Sequence, residues 1–176
     1  MSSLILSLFF PMAYAYSAAE EYEIKAAFLY NLGSYLRFPS SRLSDDDTSQ
    51  PFHICILGRD PFQQNIDTAA ENEQIQGHPT VIKRLQRVQD AGNCHILFIS
   101  DSERSRFKAI LQALHQLPIL TVGDTDDFID QGGMLKFYSD NNKIRLALDL
   151  GKIRAADIKP SANLLKIVKI VGDVKF

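Results

Sequence analysis

Four aspartates, Asp124, Asp126, Asp127 and Asp130, crowd into LTVGDTDDFIDQGG, the stretch from Leu120 to Gly133 that begins with a short apolar run. Acids at the end of a buried strand are placed to hold Mg²⁺ or to accept a phosphoryl group, since a hard cation takes one or two carboxylates and keeps its waters. Two other short stretches have the same character: Arg59-Asp60 after FHICILG, and Ser100-Asp101-Ser102 after HILFIS. In a doubly wound sheet the carboxyl ends of the strands share one rim, and ligands bind there. Arg59, Ser100, Asp101, Thr121 and Asp124 are therefore the candidate lining of a strand-end cleft.

A phosphoryl-accepting site of the receiver type needs more than this. It carries an acidic pair just after its first strand, whereas ILGRDP offers one acid between an Arg and a Pro. It also needs a lysine at the end of its last parallel strand, and Lys136 falls inside a strand pattern. Each of the three loops instead sets an Asp or Ser just before a helical pattern, where the side chain accepts from free backbone N–H groups. First-turn acids such as Asp126 and Asp127 also complement the helix dipole. The aspartates are thus expected to cap and flank a short helix, and no metal is expected.

Other constellations are equally incomplete. His53, His78, His95 and His115 lack ligand spacing, and Ser100 and Ser102 have no G-x-S-x-G frame. ILGRDPF lacks the glycine pattern of a dinucleotide loop. Cys94 and His95 are neighbours in a strand and so point to opposite faces. No catalytic set assembles, and no cofactor is expected.

The elements that would position these residues follow a clear rhythm. EEYEIKAAFLYNLGSYLRFP reads as a helix ended by Pro39, with one apolar stripe of Ile24, Phe28, Leu32 and Tyr35 and a second of Tyr22, Ala26, Leu29 and Leu36. Glu21 and Lys25 form an i,i+4 pair on the strip that remains. A helix apolar nearly all round is covered on more than one side, by core or by another chain. SSRLSDDDTSQP is a polar loop; Asp60-Pro61 opens a second helix. FHICILG, HPTVIKRL, HILFIS and PILTVG are short apolar strands, and DSERSRFKAILQALHQL is an amphipathic helix. GMLKFYS and KIRLALDL, joined by DNN, form a hairpin. KPSANLLKIVKIVG is a final helix capped by Ser161 and stopped by Gly172.

Apolar strands alternating with helices predict a three-layer α/β sandwich. The expected sheet is mostly parallel and five-stranded, in flavodoxin-like or Rossmann-like order, with helices on both faces and an antiparallel edge hairpin. The 176 residues fit one domain, over about 20–172, with no repeat or linker. A net charge of −2 without a dense Lys/Arg cluster argues against nucleic acid as a partner.

Leu4 to Phe10 is mostly apolar, and Ala13-Tyr14-Ala15 has the small-x-small pattern of a cleavage site. Residues 1–15 therefore read as a signal peptide, although no Lys or Arg precedes Lys25 to supply a basic leader. Export gives meaning to Cys55 and Cys94, which form either a disulfide favoured by an oxidising compartment or two buried thiols.

The order of segments resembles the YfiR family of small exported bacterial proteins. YEIKAAFLYNLGSYLRFP, ICILGRDPF, CHILFIS, LTVGDTDDFIDQGGMLKFYSDNNKIRLALDL and LLKIVKIV carry the resemblance, with the K-A-x-F-L-Y-N helix and the F-x-x-Q-G-G-M turn as its most specific pieces. It implies a periplasmic regulator without enzymatic activity, a homodimer that binds the periplasmic sensory domain of an inner-membrane diguanylate cyclase and holds it inactive. It also implies an outer-membrane, peptidoglycan-binding lipoprotein that sequesters the repressor, so that cyclic di-GMP and biofilm formation rise. Cys55 and Cys94 fall where one disulfide of the type member sits, and its second pair has no counterpart here. The expected contact surface comprises Tyr22, Lys25, Leu29, Leu36, Leu165 and Val168 on the two apolar helices. The alternative is a small periplasmic solute-binding protein that uses the strand-end cleft.

Overall fold

A computed structural model describes residues 17–172; the expected signal peptide, residues 1–15, lies outside them. The first helix, α1, spans Ala18–Leu32 and begins with a capping box, in which Ser17 and Glu20 each accept from the other's backbone N–H. It stops seven residues before Pro39. Gly33 opens a 3-10 turn, and a Cβ there would stand 2.7 Å from Ile75 Cδ1, so only glycine lets the chain close onto that side chain. Leu36–Arg37 then forms β1, which pairs antiparallel with β9, Lys159–Pro160, in a ribbon apart from the main sheet.

The main sheet is built from β2 (Phe52–Leu57), β3 (Gln74–Ile75), β4 (His78–Leu85), β5 (Ile96–Ile99), β6 (Leu120–Gly123), β7 (Leu135–Asp140), β8 (Lys143–Asp149) and β10 (Lys169–Val171). Its order is β10-β8-β7-β6-β5-β2-β4-β3. The five strands β4, β2, β5, β6 and β7 are mutually parallel and lie in flavodoxin-like order, as the alternation of elements predicts. β8 returns antiparallel to β7 through Asn141 and Asn142, both at positive φ, the backbone of a tight hairpin. The hairpin is not the edge, however, because β10 adds outside β8 and β3 adds outside β4.

Alternation along the strands divides the core in two. Ile54, Ile56, Ile96, Phe98, Leu120 and Val122 face α1 and α2 (Gln64–Ala70), with Leu150 and Ile153 of α4 (Leu150–Ala155) and Leu164 of α5 (Ala162–Ile167) in the same cluster. Cys55, Leu57, Leu97 and Ile99 face the opposite way, onto α3 (Phe107–Ala113). Each fully buried Leu or Ile contributes about 1.5–3 kcal/mol over an exposed one, so the two layers dominate folding.

Three sequence expectations change. The second helix opens at Gln64 rather than Pro61, because the Asp60 carboxylate accepts from the N–H groups of Phe62 and Gln63 in a tight turn and Gln63 sits at φ 53. DTDDFIDQ forms turns, not a helix, anchored by the fully buried ring of Phe128. The final helix is only α5, capped by Ser161; beyond it the β-branched Ile170 and Val171 extend into β10 beside β8.

Candidate functional site

The strand-end rim is where this architecture would place chemistry, and one buried polar cluster occupies it. Lys25 Nζ lies 2.8 Å from Asp124 Oδ2 and 2.6 Å from Glu21 Oε1, and 4.4 Å above the centre of the Tyr22 ring. Tyr22 Oη donates to the same Asp124 oxygen at 2.8 Å. Burial first, and the Asp124 carboxylate second, push the Tyr22 phenol well above its usual range, so it remains a donor. The ring of Tyr22 in turn meets Phe62 edge-on.

This arrangement corrects two sequence expectations. Asp124 is not a helix cap but the partner of a buried lysine. Lys25 is not on a solvated strip: residues 25, 29 and 32 share a face, and that spacing carries Lys25 into the core with Leu29 and Leu32. The spacing was readable, but the lysine's charge and its partner at i−4 suggested solvent. An ammonium held between two carboxylates over an aromatic face ties α1 to the end of β6; it is not poised as a nucleophile. Beside it opens a groove of about 460 Å³, with Asp126, Lys136 and Lys169 on its other walls.

The remaining residues expected in the cleft do not converge on it. Ser100 is buried and caps the turn at Ser102. Thr121 is buried on the opposite face, where its hydroxyl accepts from Met134 N. Arg59 and Asp101 are exposed. The switch point between β2 and β5 is filled, because Ser102 Oγ accepts from Arg59 N and packs with Glu103 against Gly58, at φ +90. Asp127 pairs with Arg104 at 3.0 Å, and Asp60 with Arg84 at 2.8 Å.

The expected contact surface also divides. Leu29 and Leu36 are fully buried within the subunit and cannot meet another chain, so the extra apolar face of α1 is core. Leu165 and Val168 are partly buried and sit beside Ile167 and Ile170 of the same apolar segment, exposed by 58% and 41%. Cys55 and Cys94 form a buried disulfide with Cα atoms 5.9 Å apart, joining β2 to the segment just ahead of β5.

Behind that bridge lies a cluster that residue spacing did not suggest. His95 stacks on Phe52 at 4.6 Å and meets Phe38 edge-on. Its Nδ1 accepts from His53 N, and Nε2–H donates to the Arg42 carbonyl at 3.3 Å. Burial pushes the His95 imidazole down to about 4. Arg42 itself donates to the carbonyls of Gly92 and Cys94. Among the described residues no group of three or more His, Cys, Asp or Glu is placed to hold a metal.

Comparison with known proteins places this geometry. An ABC domain from Streptococcus pneumonia, solved in complex with L-Trp, superposes with a TM-score of 0.55 at 8% identity. The match covers 83% of this chain and 60% of that one, so the likeness is one of fold alone. No curated protein matches the chain. No helix among the described residues is long and apolar enough to cross a membrane. The YfiR/HmsC-like profile matches residues 22–169, from the tyrosine of the buried cluster to the first residue of β10, and it describes periplasmic regulators rather than enzymes. The chain belongs to the YfiR/HmsC-like family.

Proposed function

We propose that the protein is exported to the periplasm and there binds the periplasmic sensory domain of an inner-membrane diguanylate cyclase, holding it inactive and so lowering cyclic di-GMP and biofilm formation. The family match over residues 22–169 carries this reading. The rim supports it, because the polar groups that an enzyme of this architecture would turn on a substrate are spent on internal bonds of Lys25, Tyr22, Ser100 and Ser102. Repression of this kind requires tighter binding to the inactive arrangement of the cyclase than to the active one.

The working form is a homodimer, and the exposed pair Ile167 and Ile170, flanked by Leu165 and Val168, is assigned to the contact between copies. A peptidoglycan-binding outer-membrane lipoprotein would relieve repression by competing for the regulator. The reading is tested by deleting the gene, measuring cyclic di-GMP, and co-purifying the protein with membrane cyclases. A rise in cyclic di-GMP together with a recovered cyclase supports it. Unchanged cyclic di-GMP with no cyclase recovered overturns it.

A further inference from the structure

The connection from β6 to β7 lacks something that parallel strands ordinarily have. Such strands need a crossover, usually a helix that covers the sheet. Its right-handedness places it on the same face as α3, which crosses from β5 to β6. Residues 124–134 do cross on that face, and Phe128 is buried with the α3 cluster. Yet they make only turns, and two adjacent buried side chains, Phe128 and Ile129, do not roof two strands. An open groove of about 910 Å³ remains over the starts of β6 and β7.

Its walls are two helices. α3 and the turn after it contribute Leu111 and Leu114, α4 contributes Ala155, and Met134 with Thr121 forms the floor. The small Ala155 leaves room for a ridge of incoming side chains, the condition for helix-to-helix packing. The groove's charge is one-sided. Lys108 and Lys152 line it, beside the imidazole of His115, and no carboxylate does, in a chain whose net charge is −2. Lys152 is engaged by Asp149 and the Ile129 carbonyl, whereas Lys108 and His115 are exposed and form no ion pair among the described residues.

We propose that this groove docks an amphipathic helix of a partner protein, apolar on the face that enters and acidic along its flank, which completes the layer that the β6–β7 connection leaves open. The helix lays Leu-type anchors at i, i+3, i+4 and i+7 onto Leu111, Met134 and Ala155, and sets its carboxylates against Lys108 and His115. That the partner is the cyclase rests on the regulatory reading above; the chemistry of the groove does not.

The test separates the two. A synthetic amphipathic peptide with Leu anchors and Glu flanks is titrated into ¹⁵N-labelled protein, beside a twin in which every Glu is Lys. The acidic peptide is expected to shift the amides of Leu111, Gln112, Met134 and Ala155, and the basic twin to leave them in place. Ala155→Trp, which fills the groove, is expected to abolish the shifts, and Lys108→Glu, on the exposed rim, to weaken binding by tenfold or more. No shifts, equal shifts with both peptides, or shifts centred elsewhere overturn the proposal. Shifts of these amides with protein concentration alone place a second copy in the groove and overturn it too. In the second arm, the cyclase recovered by wild-type protein is challenged with both variants. Undiminished recovery by both sinks the groove as the cyclase's docking site while the regulatory reading stands, and failure of wild-type protein to recover any cyclase sinks that reading while the peptide result stands.

Discussion

Lys25 Nζ and Asp124 Oδ2 stand 2.8 Å apart, with side chains 5% and 6% exposed, and join the first helix to the end of β6. Both groups have left water, so each depends on the other. Replacing one, as in Asp124→Leu or Lys25→Met, leaves a buried charge short of a partner, Lys25 with Glu21 alone or Asp124 with the Tyr22 hydroxyl alone, and is expected to cost about 3–5 kcal/mol. The double variant Lys25→Met/Asp124→Leu is expected to recover part of that loss, since paired apolar groups need no solvation, less what the Tyr22 hydroxyl loses with its acceptor. Urea unfolding of the three variants checks this; additive losses would show that the pair is not coupled.

The Cys55–Cys94 bridge spans 39 positions of sequence. On the chain-entropy estimate, closing a loop of that size stabilises by about 3–4 kcal/mol. Cys55→Ala/Cys94→Ala is expected to unfold at correspondingly lower denaturant, and wild-type protein in strong reductant to match it. A midpoint indifferent to reductant would contradict the estimate.

His95 gives the fold an acid limit. Burial holds its imidazole down at about 4, against roughly 6.5 when unfolded. Below the unfolded value the open chain takes a proton that the folded chain refuses, so stability is fully present above pH ~6.5 and is lost as pH falls toward 4. His53, also pushed down by burial, acts in the same direction. His95→Gln is expected to lower stability at pH 7 and to flatten the slope between pH 6.5 and 4. An unchanged slope would assign the acid limit to other groups.

Phe128 needs both glycines around it. A Cβ at Gly133 would fall 2.2 Å from Phe128 Cε1 and 2.8 Å from its carbonyl oxygen; one at Gly123 would fall 2.5 Å from Cδ2. Gly133→Ala is expected to cost about 1–3 kcal/mol, the usual range for overpacking, and possession of a backbone contact puts it at the upper end. Gly92→Ala, where nothing lies within 4 Å, is the control. Thermal unfolding of both variants distinguishes them.

Ile167→Asp/Ile170→Asp places charge on the assigned dimer contact without touching the core. Sedimentation is expected to show a shift from dimer to monomer with the melting temperature of the monomer unchanged. A dimer that persists would move the contact elsewhere.

Much of the architecture was legible because strand and helix periods differ. FHICILG, HILFIS and PILTVG read as buried strands from their shortness and β-branched content, and DNN between two short apolar-rich runs read as a hairpin. The short pieces escaped for a physical reason. β1, β3 and β9 are two residues each, too short to display a period, and exist because tertiary partners satisfy them. LLKIVKIV is apolar at both periods, and pairing with β8 decided between them. The buried cluster was half visible: Lys25 shares its face with Leu29 and Leu32, but its partner lies 99 residues away, a distance no local pattern spans. Aspartates ahead of a turn read as caps by the same logic, since a cap is the local solution and Asp124 adopts a remote one.

The bridge from Cys55 to Cys94 encloses α2, β3 and β4 in a covalent ring. A pull on the two ends of the chain therefore passes through the sulfur atoms and bypasses the β4–β3 edge of the sheet. Stretched in a single-molecule experiment, the oxidised protein should release a contour shorter than the reduced one by roughly 140 Å, from 39 positions at about 3.6 Å each. The ring's own helix and strands would then unfold under load only after the disulfide is reduced to two thiols.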